Sequence, residues 1–316
     1  MGEVHLARDT KMDRLVAIKL FQGDHANPAA TDRFIREASL AGRLVNPHIV
    51  TIYDFGEWHG QLYIVMEYIA GDSLASLIAR RRPRTLQEKL VLMIDLCAGL
   101  GYAHDAGVLH RDIKPGNLML AASGLLKVVD FGVARALEAG GVTQPLLGSL
   151  CYMAPEQLAL APPDQRSDIF AVGAVFYELL SFRQAFAADS VEGVIERIRA
   201  GAPEPLSTLC PDLDPGVVAI VERTLEKDPD ARYQDLHTME EELRQVMRRL
   251  SDQATPTAIG HDDQPNTAAA AAETPPNVTE TVAASSIGPV DPNNPWARAQ
   301  RRLLEWRHPA DYVAFA

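Results

Sequence analysis

The sequence predicts an α+β fold in which a small, strand-rich lobe (residues 1–69) precedes a larger helical lobe (residues 70–250). In the first lobe, short apolar runs alternate with polar turns, which is typical of paired strands. In the second lobe, apolar residues recur at helical spacing. The composition then changes: residues 251–295 contain no aromatic residue, so they cannot bury enough surface to offset their ordering entropy. We therefore expect a disordered linker there.

The strands expected in the first lobe form two antiparallel pairs: 5–7 with 15–20, and 49–55 with 62–68. A helix is expected between the pairs at residues 31–45, with Thr31 or Asp32 capping its first turn.

The second lobe is expected to contain several helices and one short hairpin. The first and longest helix ends at Gly107, a residue type that favours helix C-termini. The helices are predicted at 86–106, 167–181, 191–199, 215–226 and 236–250, and the hairpin at 118–120 and 125–129.

Composition and charge exclude several classes of protein. The 316 residues carry a net charge of −12, which disfavours nonspecific binding to nucleic acid or to anionic membranes. The three cysteines form no CxxC or Cys/His cluster, so neither a disulfide framework nor a zinc site is indicated. The sequence shows no secretory signal and no transmembrane run, and we expect a cytoplasmic protein.

One motif concentrates residues suited to phosphoryl transfer. Residues 110–117 read HRDIKPGN, and the tripeptide Asp130-Phe131-Gly132 follows a short distance later. Asp112 is a candidate base, because a hydroxyl nucleophile needs a carboxylate near its proton. Asn117 and Asp130 are candidate metal ligands, since hard cations take oxygen ligands from separate segments.

These motifs resemble the catalytic core of eukaryotic-type protein kinases. HRD-x-K-x-x-N followed by DFG carries the resemblance, together with VAIK at residues 16–19 and APE at residues 154–156. The phrases GVLHRDIKPGNLML and YMAPEQ resemble bacterial serine/threonine kinases of the Pkn type. The resemblance covers about residues 1–250 and implies a two-lobed protein kinase fold.

Lys19 and Glu37 are expected to form an ion pair. Strand alternation places Lys19 on the face opposite Val16 and Ile18, where a lysine is often merely solvated. Glu37, however, falls on an apolar helix face, and a buried carboxylate needs a partner cation. The resemblance names the same two residues.

The resemblance also implies the role of each candidate residue in catalysis. Asp112 would accept the proton of the substrate hydroxyl, and Lys114 would neutralise charge on the transferring phosphate. Asn117 and Asp130 would hold Mg²⁺ (or Mn²⁺), and Lys19 would bind phosphates of ATP.

For the adenine site, the resemblance implies contacts from both lobes. Met66 matches the gatekeeper, and the backbone of the hinge that follows it would read the adenine edge. Met119 would support the ring from below, although ordinary packing in a hairpin core explains its spacing equally well. The candidate ATP-binding residues are Gly2, Val4, Ala17, Lys19, Met66, Glu67, Tyr68, Ile69 and Met119.

The first residues match only the end of a glycine-rich loop. Gly2 and Val4 correspond to the last part of G-x-G-x-x-G-x-V, and the earlier glycines and their strand are not in the sequence. We therefore expect a first lobe without its first strand and with an unpaired edge at residues 5–7. A mis-started gene model and a shortened protein that binds ATP weakly are both consistent with this beginning.

Three residues are candidates for regulation. The resemblance implies that Arg111 pairs with a phosphate on the activation segment. Thr143 is the candidate phosphorylation site, with a plain loop threonine as the alternative. Ser149 replaces the usual threonine of its segment, and its hydroxyl is expected to bond Asp112 and Lys114.

Glu156, Asp168 and Arg232 have implied structural roles. Arg232 matches the partner of Glu156 in the APE motif. Asp168 would hold the backbone of the loop that contains HRD.

The function indicated is that of a protein serine/threonine kinase, activated by activation-segment (auto)phosphorylation and able to self-associate for that purpose. A catalytically impaired pseudokinase or scaffold is one alternative. A small-molecule phosphotransferase is another, although the complete activation segment speaks against it. Residues 296–316 read as a basic amphipathic helix that docks on a partner, on a membrane surface or on this chain itself.

Overall fold

The fold was analysed in a computed structural model. It describes residues 3–21, 28–81, 84–131, 147–254, 303–304 and 312–315.

The first lobe is a twisted antiparallel sheet with one helix. Its elements are β1 (Glu3–Asp9), β2 (Arg14–Leu20), α1 (Pro28–Ala41), β3 (Ile52–Trp58) and β4 (Gln61–Glu67). The strand order is β3-β4-β2-β1, and Asp9 closes the β1–β2 turn by accepting from the N–H groups of Lys11 and Met12.

The register places the expected nucleotide contacts on one face of this sheet. Val4 lies opposite Lys19, and Lys19 lies opposite Ile64. Ala17 in turn lies opposite Met66. Directly opposed residues share a face, as do residues two apart, so all five side chains point to the same side.

In the first lobe, both ends of the helix and of the third strand were displaced by three or four residues: the helix ends at Ala41 and not at residue 45, and the strand ends at Trp58 and not at residue 55. The helix begins at Pro28, three residues before Thr31, because proline suits the first turn of a helix. Thr31 and Asp32 therefore lie inside the helix and do not cap it. The third strand begins at Ile52, since the backbones of His48 and Val50, on either side of Ile49, instead bond to Val128 of the second lobe.

The second lobe is built mainly from helices around one core. It begins with β5 (Gly71–Ser73), α2 (Leu74–Ala79), α3 (Leu86–Asp105), a 3₁₀ turn (Pro115–Asn117), β6 (Leu118–Ala121) and β7 (Leu126–Val128). It continues with α4 (Leu147–Leu150), α5 (Pro155–Leu158), α6 (Gln165–Ser181), α7 (Val191–Arg199), α8 (Leu206–Leu209), α9 (Pro215–Thr224), a 3₁₀ turn (Pro229–Ala231) and α10 (Leu236–Ala254).

Helices α3 and α6 form the centre of this lobe. A capping box starts α3, in which Thr85 accepts from the Glu88 N–H and the Glu88 carboxylate accepts from the Thr85 N–H. Nearly every residue of α6 from Ser167 to Leu180 is buried, which explains its almost uninterrupted apolar sequence.

The sequence did not predict β5 and α2. Gly71 follows the hinge, and β5 pairs with β6 in a second sheet of order β5-β6-β7. The Ser73 hydroxyl then caps α2 by accepting from the Ser76 N–H. The structure therefore inserts a short strand and a short helix before the first long helix.

Two expectations about the chain ends are wrong. The outer edge of β1 is paired at residues 6–9 by β9 (Tyr312–Phe315), which also pairs with β8 (Leu303–Leu304), whereas no described strand pairs with this edge at residues 3–5. Leu303, placed on the expected amphipathic helix, is therefore in a strand. Residues 251–254 extend α10, and the rest of the expected linker lies outside the described residues.

Within the described ranges, no helix is both long and apolar enough to cross a bilayer.

Gly173 lets α6 approach α9 closely. A Cβ at this position would lie 2.0 Å from Oγ1 and 2.6 Å from Cβ of Thr224, which is fully buried. We expect Gly173→Ala to destabilise the fold by about 1–3 kcal/mol through overpacking, measured by urea unfolding. Gly116→Ala is the control, because its Cβ would meet nothing within 4 Å. Equal stability of the two variants would contradict this account of the helix contact.

Candidate active site

The loop of residues 110–117 connects α3 to β6 beneath the first lobe. Arg111 in this loop and Asp130 just beyond β7 both have φ of 64°, a left-handed conformation that is uncommon for residues other than glycine. Such backbone persists only where the surroundings hold it in place. The hydrogen bonds around this loop supply that support.

Asp168, at the buried start of α6, holds the loop backbone. Its Oδ2 accepts from the His110 N–H at 2.8 Å, and its Oδ1 accepts from the Arg111 N–H at 2.8 Å. His104 Nε2 donates to Oδ2 at 2.9 Å. Burial alone would raise the pKa of Asp168, but the bonds from His104 and the loop hold that pKa below its ordinary value.

His110 ties the same loop to the segment that carries Asp130. The ring is fully buried, and burial lowers the pKa of His110 despite the nearby Asp168 carboxylate. Its Nε2 lies 2.9 Å from the Val129 carbonyl, which can only accept, and its Nδ1 accepts from the Asp112 N–H at 3.3 Å. A neutral ring satisfies both contacts at once.

Asp112 has one oxygen occupied and one open. Lys114 Nζ donates to its Oδ2 at 2.7 Å, and Asn117 Nδ2 donates to the same oxygen at 3.1 Å. Lys114 Nζ also donates to Ser149 Oγ at 3.3 Å. Among the described residues, Oδ1 of Asp112 accepts no hydrogen bond, and the expected bond between Ser149 and Asp112 is not formed.

Asn117 and Asp130 offer oxygen donors suited to a divalent cation. The side-chain Nδ2 group of Asn117 donates to the backbone carbonyl of Asp112 at 2.8 Å, so the side-chain oxygen of Asn117 faces away from that bond. The backbone N–H of Val129 donates to the backbone carbonyl of Asn117 at 2.9 Å, and this bond holds the two segments together. One amide and one carboxylate oxygen fit Mg²⁺, which usually completes its shell with water and phosphate oxygens.

The expected ion pair between Lys19 and Glu37 is not formed. Lys19 Nζ lies 2.8 Å from Asp130 Oδ1, whereas Glu37 Oε1 lies 3.6 Å from Arg111 Nη1. The periodicity of α1 placed Glu37 on the inner side, but it could not decide between two cations. Lys19 thus binds a candidate metal ligand, and Glu37 occupies the arginine expected to receive a phosphate.

The cleft between the lobes contains two of the candidate nucleotide contacts, Lys19 and Met66. Lys19, Ile64 and Met66 line a cavity from the sheet, and Asp130 and Phe131 line it from below. Ile69 packs against the buried apolar cluster that contains Ile64 and Met66. Gly2 and Thr143 lie outside the described residues.

Arg232 and Glu156 form a bidentate ion pair deep in the second lobe. Nη1 and Nη2 of Arg232 lie 2.8 and 2.9 Å from the two oxygens of Glu156. Ser167 Oγ donates to Glu156 Oε1 at 2.7 Å. Burial would raise the pKa of Glu156, but the bonds from Arg232 outweigh it and lower that pKa.

Sequence reasoning missed contacts that converge on the site. Glu67 was named only for its hinge backbone, yet its side chain binds Lys127 Nζ at 2.9 Å. Tyr152 donates its hydroxyl to Glu178 on α6, beside the groove that contains Lys114 and Ser149. Nothing in the spacing signals these pairs, because each joins segments that meet only in the folded chain.

Comparisons with known proteins cover most of the chain. The family model described as "Protein kinase domain" matches residues 1–245. A probable serine/threonine-protein kinase of Streptomyces coelicolor is 38% identical over 286 residues, which are 85% of this chain and 42% of the relative. The serine/threonine-protein kinase PknB of Mycolicibacterium smegmatis is 39% identical over 255 residues, 78% of this chain and 41% of the relative. The chain thus spans about two-fifths of the length of these curated relatives.

Replacing Asp168 should destabilise the fold at neutral pH. An asparagine has one acceptor oxygen for three donors, so Asp168→Asn should lower the free energy of unfolding by about 2–4 kcal/mol. Because the folded-state pKa of Asp168 is lowered, its stabilisation is present above its ordinary pKa and is lost as pH falls through the folded value.

Urea unfolding from pH 7 to pH 3 measures both effects. The variant should lose less stability than the parent below about pH 4, since it lacks this carboxylate. Asp105→Asn is the control, because Asp105 is 68% exposed and, within the described part of the chain, its side chain pairs with His237 alone. Parallel stability curves for Asp168→Asn and the parent would contradict the assignment.

Proposed function

Because the chain belongs to the protein kinase domain family, we propose that it is a serine/threonine kinase that transfers the γ-phosphate of ATP to protein hydroxyls. Family membership confirms the predicted two-lobed α+β fold and the resemblance to bacterial Pkn-type kinases. The observation that carries the proposal is the geometry of Asp112, whose Oδ2 is held by Lys114 and Asn117 while Oδ1 stays open.

Asp112 would act as the base toward the substrate hydroxyl. With Oδ2 held in place, Oδ1 is the atom that would accept the hydroxyl proton as the oxygen attacks the γ-phosphate. Lys114 would stabilise charge on the transferring group, since its Nζ already lies beside Asp112 and Ser149. Lys114 and Ser149 also line the groove beside α2 and α6, which we propose receives the protein substrate.

Asn117 and Asp130 would hold the divalent ion, which we propose is Mg²⁺. When bound, that ion supplies charge neutralisation to the phosphates of ATP. Val4, Ala17, Met66 and Met119 would enclose the adenine ring, and the backbone of Glu67 and Ile69 would read its edge.

Substrate loading would rearrange the ion pairs described above. At Oδ1 of Asp130, Lys19 would compete with the metal for the carboxylate. Lys19 would turn to the phosphates of ATP, and Glu37 would leave Arg111 to support it.

Regulation would act on the ion pair between Arg111 and Glu37. A phosphate on Thr143 is proposed to compete with Glu37 for Arg111, so that Glu37 is released. Self-association would allow one chain to phosphorylate another. We also propose that the protein acts in the cytoplasm, where ATP is available and the thiols of Cys97, Cys151 and Cys210 stay free.

Removing the base should abolish transfer while leaving nucleotide binding. We expect Asp112→Asn to lower kcat by about 10²–10⁴-fold, the range for loss of general base catalysis. Radiolabelled γ-phosphate transfer to a generic protein substrate and to the chain itself measures the effect. Asp105→Asn should retain activity, and Thr143→Ala should lower the phosphothreonine signal on the chain. Absence of transfer by the parent chain with Mg-ATP would refute the proposal.

Removing the carboxylate of Glu37 should impair turnover even though Glu37 pairs with Arg111 and not with Lys19 in this structure. We expect Glu37→Gln to lower kcat/KM for ATP by about tenfold or more, because Lys19 would lose its partner once Asp130 holds the metal. Glu57→Gln on β3, an exposed position in the same lobe, is the control. Unchanged kcat/KM in Glu37→Gln would show that the exchange of ion pairs does not occur.

A further inference from the structure

An ion pair between Lys127 and Glu67 joins the two lobes beside the expected adenine site. Lys127 Nζ lies 2.9 Å from Glu67 Oε2, and the side chains are only 13% and 26% exposed. Glu67 ends β4 directly after Met66, and Lys127 lies in β7, three residues before Asp130. The roles proposed above for Glu67 and for β7 involve neither of these side-chain charges.

Glu67 is also hydrogen-bonded to Thr51, on the segment before β3. The Glu67 N–H donates to the Thr51 carbonyl at 2.8 Å, and the Thr51 N–H donates back to Glu67 Oε2 at 3.3 Å. The same oxygen therefore accepts from Thr51 and from Lys127. Because a partly buried carboxylate is costly without a cation, loss of Lys127 would draw the Glu67 side chain toward water and away from Thr51.

Strand β7 is anchored to the segment that precedes Thr51. The Val128 N–H donates to the His48 carbonyl at 2.8 Å, and the Val50 N–H donates to the Val128 carbonyl at 2.9 Å. Lys127 thus projects from a backbone that is already fixed against this segment. Its ammonium can hold the hinge in place because its own strand does not move freely.

Lys127 also shares a sheet face with Met119. The two residues lie directly opposite each other in the β6–β7 pair, so their side chains point to the same side. Met119 is proposed to support the adenine ring from below. Glu67 belongs to the hinge, whose backbone is proposed to bind the edge of the ring. Lys127 therefore connects the hinge to the surface on which the base would rest.

We propose that Lys127 is a positioning residue for the nucleotide base. It would set the spacing between the hinge backbone at Glu67 and the platform at Met119, without touching the nucleotide. The idea rests on the proposed function, since it requires that this cleft binds ATP. It predicts a selective effect on recognition of the base, because the phosphates are held elsewhere, by Lys19 and the metal ligands.

Equilibrium binding of Mg-ATP and Mg-GTP, measured by calorimetry on the full chain, tests the proposal. Lys127→Met should raise the Kd for ATP by about three- to tenfold and leave the Kd for GTP nearly unchanged, because only the adenine edge fits the hinge. Lys127→Arg keeps the cation and should stay within twofold of the parent. Lys89→Met is the matched control, since Lys89 is half-buried on α3, where it donates to the Leu180 carbonyl and lies over the Phe182 ring, away from the cleft.

The double variant Lys127→Met/Glu67→Gln distinguishes positioning from general damage. If Lys127 acts through Glu67, the effects of the two changes should not add. The double variant should then lose no more ATP affinity than whichever of Lys127→Met and Glu67→Gln binds ATP more weakly. If Lys127→Met does not fold, Lys127→Gln takes its place, with thermal melting as the check on folding. The deciding quantity is the ratio of the Kd for ATP to the Kd for GTP, compared between each variant and the parent.

Three results would overturn the proposal: equal losses for ATP and GTP, no loss for either, or a higher kcat with unchanged ATP affinity. The last would make the pair a restraint on lobe movement. Phosphate transfer, assayed separately, distinguishes this test from that of the proposed function. A parent chain that binds ATP more tightly than GTP but transfers no phosphate would refute the proposed function without refuting the proposed role of Lys127.

Discussion

The geometry of the proposed catalytic loop depends on Asp168, a fully buried carboxylate whose oxygens accept from the backbone of His110 and Arg111 and from His104. A carboxylate in that position must satisfy both oxygens, because an unpaired buried charge costs several kcal/mol. Its bonds hold Arg111 in a left-handed conformation, and the loop then presents Asp112 beside Lys114 and Asn117. Helix α6, which contributes nothing to the chemistry directly, therefore determines where the proposed base lies.

The ion pairs above this loop are of a different kind. Arg111 and Glu37 are 40% and 30% exposed, and a pair of this sort contributes about 1 kcal/mol or less. Lys19 and Asp130 are more buried, so each needs a new partner of opposite charge when their contact breaks. In the proposed exchange both gain such a partner, so a bound metal or phosphate can select another arrangement. The site combines a rigid floor, fixed by buried hydrogen bonds, with a set of charges that ligands are able to rearrange.

The sequence predicted the elements of the fold well where the local pattern was long and regular. Helix α7 begins and ends as expected, and α3 and α6 differ by at most two residues. Prediction failed where tertiary contacts competed with local pattern. Ile49 and Val50 lie outside the expected strand, because the backbones of His48 and Val50 bond to Val128, and residues 71–79 form a strand and a helix too short to show a period.

By itself, the sequence determined the family, the two lobes and the identity of the residues in the proposed site, because Asp112, Lys114, Asn117 and Asp130 lie in motifs short enough to read along the chain. Only the tertiary structure decided which charges meet. The choice of Asp130 over Glu37 as the partner of Lys19, and the joining of Lys127 to Glu67, bring together residues that are far apart in sequence. Such pairs depend on distances of a few ångströms between separate elements, and no periodicity along the chain encodes those distances.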